Sequence, residues 1–126
     1  MAVQLNHTIV PVRDKAASAT FLADLLGLKP PSSYGPFMVV ELDNGTSLDF
    51  MDTRDEPVWQ HYAFLVGEQE FDEIFGRIQA RGMSYWADPH HSRPGEINRH
   101  DGGRGVYFED PDGHNLEIIT RPYGSG

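Results

Sequence analysis

The sequence predicts an α+β fold built from two tandem modules that share the order β–α–β–β(–β). Two short apolar runs, LNHTIVPV at 5–12 and WQHYAFLV at 59–66, each contain a histidine, and a helical pattern begins seven residues after that histidine. The carboxylates Asp49 and Glu117 then each lie four residues after a glycine. Spacings repeated in this way indicate an internal repeat of one supersecondary unit.

The first module is predicted over about residues 3–54 and opens with the strand at 5–12. Its helix is predicted over DKAASATFLADLLG, where Gly27 supplies the stop. The apolar stripe expected to face the core comprises Ala17, Phe21, Leu22, Leu25 and Leu26. Two further strands, at 37–42 and 46–51, flank the turn sequence DNG and complete a hairpin.

The second module is predicted over about residues 57–122, with its helix at 68–82. The apolar positions of this helix follow the spacing i, i+3, i+4, i+7 and are Phe71, Ile74, Phe75 and Ile78. Strands are predicted at 83–86, 105–108 and 114–120, and the turn DPDG separates the last two. The histidine-to-carboxylate spacing is 42 residues in the first module and 56 in the second. The difference indicates a long loop at about 87–105, expected to be a functional lid or a surface loop.

Length and composition set limits on the class of protein. A chain of 126 residues with 39% hydrophobic and 23% charged residues is expected to form a single domain, 1–126. The net charge of −9 argues against nucleic-acid binding. The absence of cysteine excludes disulfides and thiolate metal sites. No segment suits a membrane span or a signal peptide, so a cytoplasmic location is expected.

Strand alternation places polar side chains on one face of each predicted sheet. In LDF (48–50) and LEI (116–118) the outer residues are apolar, so Asp49 and Glu117 point to the opposite face. His7 and His61 open the first strand of each module at equivalent positions. Two histidines with one or two carboxylates are suitable ligands for a divalent transition metal, whereas each residue alone is more typical of an ordinary structural role.

These motifs resemble those of the vicinal oxygen chelate superfamily, which includes glyoxalase I, fosfomycin-resistance enzymes, extradiol dioxygenases and bleomycin-resistance proteins. The resemblance covers essentially the whole chain, and YFEDPDGHNLEI (107–118) is the most family-like segment. It implies the glyoxalase/bleomycin resistance/dioxygenase fold, in which paired βαβββ modules make a curved mixed sheet around a pocket. It also implies a homodimer that acts on a small molecule.

The resemblance further implies that His7, Asp49, His61 and Glu117 are metal ligands. Asp49 replaces the glutamate common in glyoxalase I and is one methylene shorter, so it is expected to act as a fourth ligand or as a base. Tyr107 is implied to contact bound substrate, with packing as the alternative role. The ion is expected to be Fe, Mn, Ni, Co or Zn, and the reaction a lyase, isomerase or dioxygenase type.

A second hypothesis is a protein that is not an enzyme. Bleomycin-resistance-like members bind an aromatic or cationic antibiotic in a dimer-interface groove without converting it. The acidic charge favours such a ligand. The aromatic residues that would suit stacking are Tyr34, Phe37, Trp59, Tyr85 and Trp86. The residues leave open whether the protein is an enzyme or a sequestering protein.

Overall fold

The computed structural model describes residues 2–125, so the first and last residues of the predicted domain lie outside it. The elements follow in the order β1 (His7–Val12), α1 (Lys15–Leu26), β2 (Ser32–Tyr34), β3 (Phe37–Glu41), β4 (Ser47–Asp52), β5 (His61–Leu65), α2 (Glu68–Ala80), β6 (Gly105–Glu109) and β7 (Asn115–Ile119), with a short 3-10 helix at His100–Gly102 between α2 and β6. The chain divides into two compact units, the first ending at Val58 and the second beginning at Trp59. They are called here module one and module two.

Module one is a four-stranded mixed sheet with one helix. The strand order is β1-β4-β3-β2, in which β1 and β4 run parallel and the other pairs run antiparallel. Helix α1 begins where the Asp14 side chain accepts a hydrogen bond from the amide of Ala17, and ends at Gly27 with a φ of 71°. It lies against β1, β3 and β4 and so covers one face of the sheet.

The core face of α1 differs from the predicted apolar stripe. Leu22 and Leu25 are buried as expected, but Phe21 and Leu26 are only half-buried and Ala17 is exposed. The helix buries its small residues instead, namely Ser18, Ala19 and Ala23. Alanine suits a buried or an exposed helix position equally well, so the pattern could not set the rotation of this helix.

Module two is a three-stranded mixed sheet with one helix. The strand order is β5-β7-β6, in which β5 and β7 run parallel and β6 and β7 antiparallel. Phe71, Ile74 and Ile78 of α2 are buried, as the spacing predicts, and Phe75 is half-buried. Both modules therefore confirm the predicted α+β class with mixed sheets.

The strand predicted at 83–86 is absent, which is the main correction to the fold of module two. Only Trp86 pairs with the sheet, through two backbone hydrogen bonds to Tyr107 of β6. The amide of Met83 instead donates to Ile78, in the turn that follows α2. The amide of Met83 is therefore used by the turn that ends α2 and does not pair with a neighbouring strand. In module one the corresponding edge strand is β2, which the sequence did not predict because SSY is short and exposed.

No helix in the described part of the chain has the length and apolar character needed to cross a bilayer.

Candidate functional site

The parallel strand pair of each module places a histidine beside a carboxylate in the same register. In module one His7 lies opposite Ser47, two positions before Asp49 on β4. In module two His61 lies opposite Asn115, two positions before Glu117 on β7. Residues two apart on a strand share a face, so each histidine and its carboxylate face the same side of their sheet.

His61 and Glu117 form a close pair in module two. The Nε2 atom of His61 lies 3.3 Å from Oε1 of Glu117. Nδ1 of His61 lies 2.9 Å from the backbone carbonyl oxygen of Asn115 and must donate to it, because a carbonyl only accepts. Nε2 of the neutral ring therefore presents a lone pair toward a carboxylate oxygen, and this arrangement needs a proton or a cation between the two atoms.

Tyr107 completes a three-residue cluster with this pair. Its hydroxyl donates a hydrogen bond to Glu117, and its ring stacks on the imidazole of His61 with the centroids 5.8 Å apart. Burial, together with the charge of Glu117, raises the pKa of the Tyr107 phenol well above its ordinary range, so this group stays protonated. Burial also raises the pKa of Glu117, while the hydrogen bond from Tyr107 and the proximity of His61 act in the opposite direction.

Tyr107 and Glu117 of this cluster line a cleft of about 560 Å³ in module two. The long loop and the segment after β7 also line it and contribute His100, Asp101, Arg121 and Tyr123. The amide of Gly124 donates to the Asp101 carboxylate at 3.1 Å and so joins the two segments. The cleft therefore combines the largely buried carboxylate of Glu117 with two phenols and two guanidinium groups.

His7 and Asp49 line a second cleft, of about 410 Å³, in module one. Nδ1 of His7 lies 2.6 Å from the side-chain oxygen of Asn6 and donates to it, so Nε2 again carries the lone pair. Asp49 is only 8% exposed, and its Oδ1 accepts a hydrogen bond of 2.8 Å from the Ser47 hydroxyl. Tyr34 and Glu41 line this cleft as well.

The four predicted ligands thus occur as two pairs, one in each module. Within residues 2–125 no three histidine, aspartate or glutamate side chains converge closely enough to hold a metal ion. The structure brings His61, Glu117 and Tyr107 together, and separately His7 and Asp49.

The long loop is held by hydrogen bonds of its own. The Asp88 carboxylate accepts from the amides of Ser92 and Arg93 and from the Ser92 hydroxyl. His91 stacks on Trp86 with ring centroids 3.6 Å apart and lies 2.9 Å from the side-chain oxygen of Asn115. This loop histidine therefore packs against the sheet. Asn115, which orients His61, was not predicted, since nothing in its sequence context distinguishes it from an ordinary strand residue.

Two of the aromatic residues proposed for drug stacking are engaged in packing contacts within module two. Trp86 is covered by His91, and Tyr85 packs edge-on against Phe75 with centroids 5.0 Å apart. Tyr34 and Trp59 are exposed at 74% and 60%, but they belong to different modules. Packing roles therefore account for Trp86 and Tyr85.

Comparison with known proteins gives a consistent result. Residues 4–118 match the family model of the "Glyoxalase/Bleomycin resistance protein/Dioxygenase superfamily". The solved structures of Oxidase ChaP-H1 and Oxidase ChaP-H2 are 67% and 68% identical to this chain, with TM-scores of 0.96 and 0.97. The alignments cover 98% and 100% of this chain and 99% of each of those chains.

A more distant relative is named as a glutathione transferase. Glutathione transferase FosA of Serratia marcescens is 31% identical over 125 residues, which cover 94% of this chain and 81% of that protein. The resemblance noted in the sequence and the fold class that it implied are both confirmed.

Proposed function

Because the chain belongs to the glyoxalase/bleomycin resistance protein/dioxygenase superfamily, we propose that it is a divalent-metal-dependent enzyme that oxidises a small molecule. The substrate is one that offers two neighbouring oxygen atoms to the ion. The observation that carries the proposal is the pair formed by His61 and Glu117, whose facing atoms lie 3.3 Å apart.

The donor set of module two fits a divalent ion. Nitrogen and oxygen ligands that each lie about 2.1 Å from one ion are separated from each other by roughly 3 Å when they bind at right angles. The measured separation of 3.3 Å is close to that value. A cation at this point would also satisfy both the lone pair of His61 and the buried charge of Glu117.

We assign His7, Asp49, His61 and Glu117 as the metal ligands, with Asp49 as the fourth ligand or as a base. The repeated register and the two histidines held through Nδ1 support this assignment. Metal-ligating histidines generally donate the other ring N–H to a carbonyl or a carboxylate, which fixes the tautomer. Asn6 and the carbonyl of Asn115 serve that purpose here.

Oxidation is favoured over the other reaction types by the two oxidases, which are 67% and 68% identical over nearly the whole chain. His7, His61 and Glu117 would hold Fe(II), which would supply redox chemistry with O₂ as the oxidant. The proposed ion is therefore Fe(II).

Tyr107 and Glu117 handle charge and position in the proposed site. The Tyr107 phenol, which stays protonated, donates to Glu117 and stabilises its carboxylate form. Its ring lies beside His61 in the cleft and limits where a substrate can approach. In module one, Asp49 accepts a hydrogen bond from the Ser47 hydroxyl, which holds its carboxylate for the proposed role as ligand or base.

The hypothesis of a sequestering protein is not favoured. The curated relatives are named as transferases or as resistance proteins, and the two most similar solved structures described above are named as oxidases. The expectation of a cytoplasmic homodimer stays a prediction, and light scattering on the purified protein tests the dimer.

Metal content per chain, measured by mass spectrometry on protein purified without chelator, is the first test. About one iron per chain is expected in the wild type, a loss is expected in His61→Ala, and retention is expected in the control His90→Ala. His90 is an exposed loop residue that lines neither cleft. Iron that stays bound in His61→Ala would contradict the ligand assignment.

Oxygen uptake distinguishes the reaction types. Iron-loaded protein is expected to consume O₂ with members of a panel of catechols and hydroquinones, and His61→Ala is expected not to. Conjugation of glutathione to fosfomycin without oxygen uptake would instead make the protein a transferase, as its relative from Serratia marcescens is named.

A further inference from the structure

We propose that Arg121 binds an anionic group of the substrate, and that the cleft of module two therefore selects aromatic acids over neutral analogues. This inference rests on the proposed function, because it places the anionic group at a distance from oxygens held at the metal.

Arg104 and Arg121 both line the cleft, but their guanidinium groups are in different situations. Arg104 contacts the carboxylates of Glu68 at 2.8 Å and Asp72 at 2.7 Å, and its guanidinium lies over the Phe71 ring. Arg121 makes no ion pair with any residue between positions 2 and 125. Arg104 is thus a structural cation, whereas the charge of Arg121 is available to a ligand.

The aliphatic part of the Arg121 side chain packs against Gly103. A Cβ atom added to Gly103 would lie 2.6 Å from Cγ of Arg121 and 2.5 Å from the Thr120 hydroxyl oxygen. Only a residue without a side chain leaves room for the stem, and Gly103 is buried beneath it. The Thr120 hydroxyl also accepts a 2.8 Å hydrogen bond from the amide of Arg104, which fixes the strand end before Arg121. The base of this side chain is therefore held in place and its charged end is exposed at the cleft.

The lining of the cleft suits a small aromatic acid. Arg121 lies four residues after Glu117, beyond the end of β7, and both residues line the same cleft. Ile119, Tyr107 and Tyr123 line it as well and suit a flat apolar body. The protein as a whole carries a charge of −9, so an anion is attracted here only by a local cation.

The test uses two probes that differ in charge alone, 3,4-dihydroxybenzoate and 3,4-dihydroxybenzamide. Both offer two neighbouring oxygens to the metal, and only the first carries a carboxylate. Dissociation constants are measured by calorimetry without oxygen, on Fe(II)-loaded wild type, Arg121→Gln, Arg121→Lys and the control Arg99→Gln. Arg99 lies in the long loop but does not line the cleft.

Wild type is expected to bind the acid about tenfold more tightly than the amide, as for one charge-assisted hydrogen bond pair. Arg121→Gln removes this preference and leaves the affinity for the amide unchanged. Arg121→Lys keeps part of the preference, and Arg99→Gln keeps all of it.

Several outcomes would overturn the assignment. They are a preference for the acid that survives in Arg121→Gln, equal binding of both probes by the wild type, or no binding of either. Binding of both probes that ignores chelator would count against the metal function instead. The ratio of acid to amide affinity in Arg121→Gln would still decide the role of Arg121.

Discussion

The two modules place a histidine and a carboxylate in the same register and then surround them differently. His7 and Asp49 repeat the offset of His61 and Glu117. In the antiparallel strand beside each carboxylate, however, module one has Val39 opposite Asp49, whereas module two has Tyr107 opposite Glu117. Because of this one cross-strand position, Glu117 accepts a hydrogen bond from a phenol, whereas Asp49 has an aliphatic side chain opposite it.

The walls of the two clefts differ even more. Module one closes its cleft with the short hairpin of β2 and β3, whereas module two uses the long loop and the segment after β7. Only the second arrangement brings in His100, Arg121 and Tyr123. The strand register thus places a histidine and a carboxylate together in both modules. The segments outside the strands, such as the long loop of module two, determine which other side chains line each cleft. Substitutions at equivalent positions measure how unequal the two modules are.

Removing each carboxylate charge is expected to have the largest effect, and an unequal one. Glu117→Gln should weaken metal binding by about 100-fold or more, since even partners of metal ligands typically contribute 10- to 100-fold. Asp49→Asn should weaken it by about tenfold, because Asp49 is one methylene shorter and is held by the Ser47 hydroxyl. Metal dissociation constants from competition with a chromophoric chelator provide the measurement. Equal losses in the two variants would show that the modules contribute equally.

The Tyr107 hydroxyl is expected to matter next, because it is the group that module one lacks. Tyr107→Phe removes the hydrogen bond to Glu117, so the raised pKa of that carboxyl should rise further. A protonated carboxyl cannot bind the ion, so metal affinity should fall by about 10- to 100-fold and should be lost at a higher pH than in the wild type. Measuring the affinity across pH 5 to 8 checks both effects.

Val39→Phe in module one is the matched control for Tyr107→Phe. It places the same ring beside Asp49 without removing a hydrogen bond to that residue. If Tyr107→Phe loses no more metal affinity than Val39→Phe and its pH profile is unchanged, the Tyr107 side chain only fills space.

Much of this comparison could be predicted from the sequence, because it depends on local patterns. The equal spacings from each histidine to its helix and from each glycine to its carboxylate indicated the repeat, and Gly27 indicated the end of α1. The hydrogen bond between Tyr107 and Glu117 could not be predicted in the same way. It depends on how the turn at 110–113 sets the register of β6 against β7.

Contacts between residues far apart in the sequence could not be predicted either, because local patterns do not determine them. The side chain of Asn115 contacts His91, which lies 24 residues earlier in the long loop. Gly103 leaves space for the side chain of Arg121, which lies well beyond it in the sequence. The strand predicted at 83–86 failed because the turn after α2 competes for its backbone. Local propensity does not show which of two backbone partners an amide will take.

The packing of Arg121 against Gly103 leads to a prediction for stability. Gly103→Ala would place a methyl group 2.5 Å from the Thr120 hydroxyl oxygen, so strand end and loop must separate. Overpacking of this kind typically costs about 1–3 kcal/mol of unfolding free energy. Gly76→Ala, in α2, meets no atom within 4 Å and should instead stabilise the protein by about 0.5–1 kcal/mol. Urea unfolding of both variants checks the difference in sign, and a neutral Gly103→Ala would show that the loop has freedom to move.

The smallest expected effect concerns the loop that module one lacks. Hydrogen bonds from Ser92 and Arg93 lower the pKa of Asp88 from 3.8 to about 2, so folding of the loop favours the charged carboxylate. Because the pKa is lower in the folded loop, this contribution is complete above about pH 4 and is lost as the pH falls toward 2. The amide resonances of Ser92 and Arg93 should therefore shift with a midpoint near pH 2 in the wild type, and Asp88→Asn should abolish that titration. A midpoint near the ordinary aspartate value would show that these hydrogen bonds do not hold in solution. The loop would then be ordered only by the stacking of His91 on Trp86.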